Sequence, residues 1–157
     1  MALETSGEII VAVDRPTVFA IVRDPMRLAR CIPGCTDVRE AGPDRYTAVL
    51  TSQVAFMTLS FKVIVDVTRV EPPVTIEATI TGDAVGLSGR VAATARLDLA
   101  ETPDSRTTIR YATQVGLTGK LGSLGQPVLR ATSAKMARQF GDNLKSEIER
   151  GSAEPSA

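Results

Sequence analysis

The sequence predicts an α+β domain in which a curved antiparallel sheet wraps against one long C-terminal helix, with two short helices after the first strand. Three observations predict it. Between Tyr46 and Val115 apolar residues recur at every second position in successive runs, the period of strands with one buried face. From Val128 to Ile148 the apolar spacing lengthens to about four, the period of a helix. Short turns, not helices, join the runs, which points to an antiparallel meander and away from a βαβ fold.

The elements follow in order. "GEIIVAV", Gly7 to Val13, reads as a strand. Asp14 is placed to cap a helix that tolerates Pro16 in its first turn and buries Val18, Phe19, Ile21 and Val22. Asp24 and Pro25 open a second helix, with Met26, Leu28, Ala29 and Ile32 as its buried side, and Pro33-Gly34 ends it. Asp37 to Ala41 forms a short strand. The next carries Ala48, Leu50, Ser52 and Val54 on one face, and the clearest alternation runs Met57, Leu59, Phe61, Val63, Val65, Val67. Inward rows continue through Ile76, Ala78 and Ile80, then Val91 to Leu99, then Thr107 to Val115. After the glycine-rich "GLTGKLGSLG" a helix from Val128 to Arg150 would be roughly 35 Å long.

The 157 residues suit one domain, assigned to 1–150, with 151–157 as a tail to which no structure is assigned. Eighteen basic residues balance eighteen acidic ones and aromatics are 4%, so neither the charge nor the stacking platforms of a nucleic-acid binder are present. No basic segment with a following apolar run marks a leader, and no apolar stretch approaches the roughly 20 residues of a membrane span. The expectation is a cytoplasmic protein.

Small residues at Ala78, Ala93 and Ala95 sit where a curved sheet would need bulk. A helix laid across such a sheet leaves a cavity, rimmed by the short helices and turns. Tyr46, Tyr111, Ser52, Thr107 and Thr113 carry hydroxyls on the inward rows. They either satisfy core hydrogen bonds or orient a carbonyl or quinone-like head group.

Histidine is absent, which excludes Ser-His-Asp, Cys-His and H-E-x-x-H chemistry. The two cysteines, Cys31 and Cys35, miss the C-x-x-C redox spacing and are too few for a thiolate metal site. Free thiols at a helix-to-sheet corner are expected, with no metal and no cofactor. Asp83, between Gly82 and Gly86, is the carboxylate placed nearest a cavity mouth. The glycine-rich segments do not match a phosphate loop.

"DPMRLARCIPGC" resembles the D-P-x-x-L-x-x-C-I-P-G-C signature of the family named for the G subunit of carbon monoxide dehydrogenase, a branch of the START-like, or polyketide-cyclase-like, superfamily. "SGEIIVAVDRPTVFAIVRD", "GLSGRVAATARLDL", "TTIRYATQVGLTGKLGSLGQPVL" and "AKMARQFGDNLKSEI" extend the resemblance from about Gly7 to Ile148. It implies a helix-grip fold and kinship with carriers of lipids and other hydrophobes. It also implies service to a molybdenum hydroxylase such as aerobic carbon monoxide dehydrogenase, through quinone handling or peripheral contact at the inner face of the membrane. Longer members carry a C-terminal extension, and Gln126-Pro127 stands where an arginine-containing helix start is more usual. The resemblance puts Ile32-Pro33-Gly34 at the domain's edge.

The leading expectation is therefore a non-catalytic accessory protein with a hydrophobic ligand, quinone or lipid-like, lined by Val63, Val65, Ala78, Ala93, Leu97, Tyr111, Met136 and Phe140. Two alternatives stand beside it. One is an assembly or recruitment factor without a ligand; the other is a polyketide-cyclase-like enzyme, which requires Asp83 or a tyrosine to converge inside the pocket.

Overall fold

A computed structural model describes residues 2–54, 56–86 and 88–153. Seven strands form one antiparallel sheet: β1 (Ala2–Val11), β2 (Cys35–Gly42), β3 (Arg45–Val54), β4 (Met57–Glu71), β5 (Thr75–Val85), β6 (Gly89–Glu101) and β7 (Thr107–Gly119). Their spatial order is β1-β7-β6-β5-β4-β3-β2. The meander runs in sequence from β2 to β7, and β1 closes it by pairing with β7. Two short helices, α1 (Arg15–Arg23) and α2 (Pro25–Cys31), separate β1 from β2, and the long α3 (Gln126–Ala153) lies across the concave face. This is the α+β helix-grip arrangement expected.

Local chemistry sets the boundaries. Asp14 caps α1 by accepting from the Thr17 hydroxyl at 2.8 Å and its amide at 3.3 Å. Asp24 caps α2 through the Met26 amide at 3.0 Å and the Arg27 amide at 3.4 Å. Proline in the first turn of each costs no hydrogen bond there. A register shift between Val67 and Arg69 bends β4 against β5, the kind of irregularity that curves a sheet.

Several boundaries differ from expectation. β1 begins at Ala2 because Ala2–Ser6 pair with Gly116–Ala112 of β7, a partnership no local pattern announces. The glycine-rich segment holds a 3-10 turn, Lys120–Leu124, bracketed by Gly119 and Gly125 at φ 69° and 95°. Pro127 falls in the first turn of α3, which reaches Ala153, three residues past the Arg150 end, for a length of about 42 Å. Residues 154–157 of the assigned tail lie outside the described residues. Met26, expected in the core, is 53% exposed: α2 is short, and its contact with α3 goes through Leu28, Cys31 and an ionic network.

That network centres on Glu147, whose side chain is 6% exposed. Arg27 of α2 donates to it at 3.1 Å, Arg30 lies 3.8 Å away and Arg150 pairs with it one turn along α3. Burial opposes ionisation of Glu147, but the hydrogen bonds from Arg27 and Arg150 outweigh it and hold the carboxyl below its ordinary 4.5. Its contribution to stability is present above pH 4.5 and is lost as pH falls through the lowered folded-state value. Glu147→Gln is expected to cost ~1–3 kcal/mol in urea unfolding at pH 7, with the gap to the parent closing in acid; a gap that persisted unchanged there would refute the ionic account.

Candidate ligand-binding site

Two apolar clusters join α3 to the sheet. One gathers Val18, Ile21 and Val22 of α1 with Leu99, Ile109, Leu144 and Ile148 near the C-terminal end of α3. The other gathers Leu3, Val54, Leu59, Leu117, Leu121 and Leu129 near its N-terminal end. Between them the inward rows shrink. On β6, Leu99 and Leu97 are 3% and 8% exposed, whereas Ala95, Ala93 and Val91 are only half-buried. Val65 of β4, Ala78 and Ile80 of β5, and Thr113 of β7 are half-buried too. A mainly apolar, partly accessible stretch of inner surface, the hollow, therefore lies between the two clusters.

The register defines its floor. Val65 pairs with Ile80, and Ile80 with Ala93; Ala78 pairs with Ala95, and Ala95 with Thr113. Val63 faces the same way and is 3% exposed, packed opposite Gly82, where an added Cβ would meet Val63 Cγ1 at 2.7 Å. Val63, Val65, Ala78 and Ala93, four of the expected residues, share the inward face of the sheet, and of these Val63 is packed and buried. Leu97, Tyr111 and Phe140 belong instead to the cluster that closes one end.

Tyr111 is held there tightly. Its ring meets Phe140 edge-on, with centroids 5.2 Å apart at 80°. Its hydroxyl donates to the Ala137 carbonyl of α3 at 3.0 Å, and burial followed by the Asp142 charge pushes its pKa up. An added Cβ on Gly7 would lie 2.3 Å from the ring, and one on Gly141 would lie 2.4 Å from the hydroxyl. Thr107, fully buried, donates to the Val13 carbonyl at 2.7 Å. Both hydroxyls satisfy the fold.

Two other inward hydroxyls are not spent in this way. Thr5 of β1 sits directly opposite Thr113 of β7, both half-buried on the inner rows. Neither side-chain hydroxyl has a hydrogen-bond partner among the described residues. Sequence reading missed Thr5 because it began the strand at Gly7; extending the alternation of Ile9 and Gly7 back two residues reaches it.

Met136 lines a separate feature of the surface. A cleft of about 280 Å³ opens between α3 and β3, lined by Pro33, Gly34, Ser52, Lys135, Met136 and Gln139 among others. Ser52 Oγ donates to Met136 Sδ at 3.8 Å. The cleft wall holds one cation and several neutral donors but no carboxylate. The Ile32-Pro33-Gly34 corner, expected at the domain's edge, contributes Pro33 and Gly34 to this rim. Gly34 has φ 75°, its carbonyl accepts the Thr51 amide at 3.0 Å, and an added Cβ would lie 2.0 Å from the Thr51 carbonyl oxygen. Only glycine lets the corner seat on β3. A second cleft, about 420 Å³, lies along the Glu8–Arg110 ion pair of β1 and β7, whose side chains belong to the outer rows.

Both cysteines are free. Cys31 ends α2, 1% exposed, and donates weakly to the Arg27 carbonyl, while Asn143 of α3 donates to the Cys31 carbonyl at 3.1 Å. Burial, then the Glu147 charge, pushes its thiol up to about 11; burial also raises Cys35. Asp83 lies on the outer row beside Lys62 and Arg90, not at the cavity mouth, because Gly82 and Ala84 take the inner positions. It does not share a face with Tyr46, which is opposite Val65 on the inner row. No cluster of three metal-ligating His, Cys, Asp or Glu side chains occurs among the described residues.

The fold is that of START-like, polyketide-cyclase-like proteins. Solved structures agree. A conserved protein from Geobacillus kaustophilus superposes with a TM-score of 0.84 at 26% identity, over 95% of this chain and 97% of that one. The Zhui aromatase/cyclase from a Streptomyces species matches at 0.70 and 15% identity, over 96% and 95%. A START superfamily protein from Mycobacterium smegmatis matches at 0.69 and 12% identity, over 94% and 97%. The two lower identities speak for the fold alone. No curated protein matches the sequence. The family model for the carbon monoxide dehydrogenase G subunit (CoxG) matches residues 7–149, and the chain belongs to that family. Family and fold are consistent with a ligand-binding accessory protein.

Two outcomes test this geometry. Thiol labelling of the native protein at pH 8 should modify Cys31 at least about tenfold more slowly than after denaturation; equal rates would contradict its burial. Gly141→Ala should destabilise the fold by about 2–4 kcal/mol in urea titration, because Tyr111 and the helix cannot both keep their places. Tyr111→Phe in the same background should recover part of that loss.

Proposed function

We propose that this chain is a non-catalytic accessory protein that holds a hydrophobic small molecule, quinone- or lipid-like, in the hollow beneath α3, and serves a molybdenum hydroxylase such as aerobic carbon monoxide dehydrogenase. The observation that carries this reading is the stretch of inner surface from Val65 to Thr113 that stays accessible between two closed apolar ends. Apolar ligand surface would leave water for this floor. The polar end would meet Thr5 and Thr113, two hydroxyls able to donate to a carbonyl oxygen. Entry would be by the Met136 cleft, whose donors and single lysine suit an oxygen-bearing head group. The partner enzyme is supported by the family description.

The acid–base groups that sequence offered for catalysis do not converge: Asp83 is outward and the Tyr111 hydroxyl is spent on α3. This favours carriage over cyclisation.

Mass spectrometry of the natively purified protein should release a quinone or lipid in near-stoichiometric amount, and the empty protein should take up an added quinone. Ala93→Trp fills the floor and is expected to reduce uptake at least about tenfold while circular dichroism stays unchanged. Undiminished uptake would put the ligand elsewhere. Thr5→Val with Thr113→Val should weaken binding of a carbonyl-bearing ligand by about 1 kcal/mol, close to fivefold, and leave a purely hydrocarbon probe unaffected.

A further inference from the structure

The sheet has two outer edges, and both are defended along most of their length. β1 lies at one end of the strand order and packs against α3. β2, at the other end, is broken by register shifts between Thr36 and Arg39 and between Glu40 and Gly42. It also exposes Asp37, Arg39 and Glu40. Bulges and charges of this kind keep a strand edge from pairing with another chain.

One short stretch differs. The last rung between β2 and β3 joins Cys35 to Leu50, and beyond it the Gly34 carbonyl accepts the Thr51 amide at 3.0 Å. β3 runs on to Val54, past the end of β2, through residues that are neutral and include no proline. The Thr51 N–H points away from β4, so the alternation of an antiparallel ladder sends the N–H and C=O of Gln53 the same way. Neither group has a hydrogen-bond partner among the described residues. This edge forms one wall of the cleft of about 280 Å³, and Thr132, Lys135, Met136 and Gln139 of α3 stand in the other. Among the described residues Lys135 is exposed and in no ion pair, and the carboxamides of Gln53 and Gln139 make no hydrogen bond. Each carboxamide offers both a donor and an acceptor.

We propose that the cleft takes an extended peptide segment of another protein, laid beside Gln53 as an added strand, with an acidic side chain of that segment against Lys135. A slot between an unpaired strand edge and a helix suits a peptide main chain, whose own N–H and C=O groups complete the ladder. Charge selects the side chain, since the cleft holds a lysine and no carboxylate. A chain terminus fits less well. Asn143 holds the Cys31 carbonyl, which sets the corner beside the Gln139 end of α3. A strand stopping at that corner would leave its terminal carboxylate one helical turn, roughly 6 Å, from Lys135. A second copy of this chain would bring a neutral edge and another Lys135, with no carboxylate to meet the first. The cleft is also the entry proposed above, so a seated segment would lie across it; the docking itself rests on the strand edge and does not require the hollow to be occupied.

The test is an amide-resolved NMR titration of the full, isotope-labelled chain with pools of acetylated, amidated pentapeptides. Their central residue is Glu, Gln or Lys, and their flanks are drawn from Val, Ile and Thr, which favour extended backbone. The Glu pool is expected to shift the Gln53 and Lys135 amides and to bind about three- to fivefold more tightly than the Gln pool, with the Lys pool weakest. Lys135→Glu should reverse that order. Gln53→Pro removes the N–H that faces the cleft and leaves the β3–β4 ladder its bonds, so it should abolish binding while circular dichroism stays unchanged. No shift at Gln53 from any pool, equal binding of the Glu and Lys pools, or full binding by Gln53→Pro would overturn the proposal. Shifts at Gln53 that grow with protein concentration in the absence of peptide would assign the edge to a second copy and also overturn it. Ligand release measured by mass spectrometry reads the hollow separately, so either result can fail alone.

Discussion

The grip of the sheet on α3 depends on one close approach. Tyr111 occupies the space that side chains at Gly7 and Gly141 would fill, and its hydroxyl reaches the carbonyl of Ala137. Gly7 lies on β1, directly opposite Tyr111, and Gly141 lies on the helix. Together they let a large ring act as the spacer between the sheet edge and α3. The Phe140 ring packs edge-on against it, so the helix cannot roll without breaking an aromatic contact and a hydrogen bond together. Close contact is made here and at the Leu129 end, and the small residues Ala93 and Ala95 face inward between the two clusters.

The hollow is thus a consequence of side-chain size along continuous rows. β6 carries leucine at 97 and 99 and alanine at 93 and 95 on the same face. Where leucine faces inward the core closes; where alanine does, the inner surface stays partly accessible. A close-packed interior would collapse onto such a gap if the helix were free to approach. The two clusters and the Tyr111 spacer oppose that collapse.

Polar contacts orient what the apolar clusters hold. Glu147 draws Arg27 of α2 and Arg150 of α3 together, and Asn143 takes the carbonyl at the end of α2. The adjoining corner is seated on β3 by the Gly34–Thr51 hydrogen bond. The Cys31–Cys35 segment is consequently a structural joint: it fixes α2 to the helix on one side and the cleft rim to the sheet on the other. Its thiols are buried or half-buried and raised in pKa, as befits a joint and not a reaction centre.

The sequence by itself determined the α+β class, the meander, the two capped short helices and the long terminal helix. Each rests on local periodicity or capping chemistry, which needs no knowledge of distant neighbours. It also identified Val63, Val65, Ala78 and Ala93 as one inward face, because alternation alone sets which way a strand residue points. Only the tertiary structure decided the rest. The first strand reaches back to Ala2 because β7 is there to pair with it, and this brings Thr5 opposite Thr113. Tyr111 of an inward row and Phe140 of α3 pack together at one end, because Gly7 and Gly141, 134 residues apart in sequence, are brought to the same ring. Asp83 turns outward by one register position, and the edge at Gln53 stays unpaired because β3 outruns β2. Periodicity sets a residue's face; which other residues meet it there, and how closely, is settled only when strands and helix from across the chain are packed together.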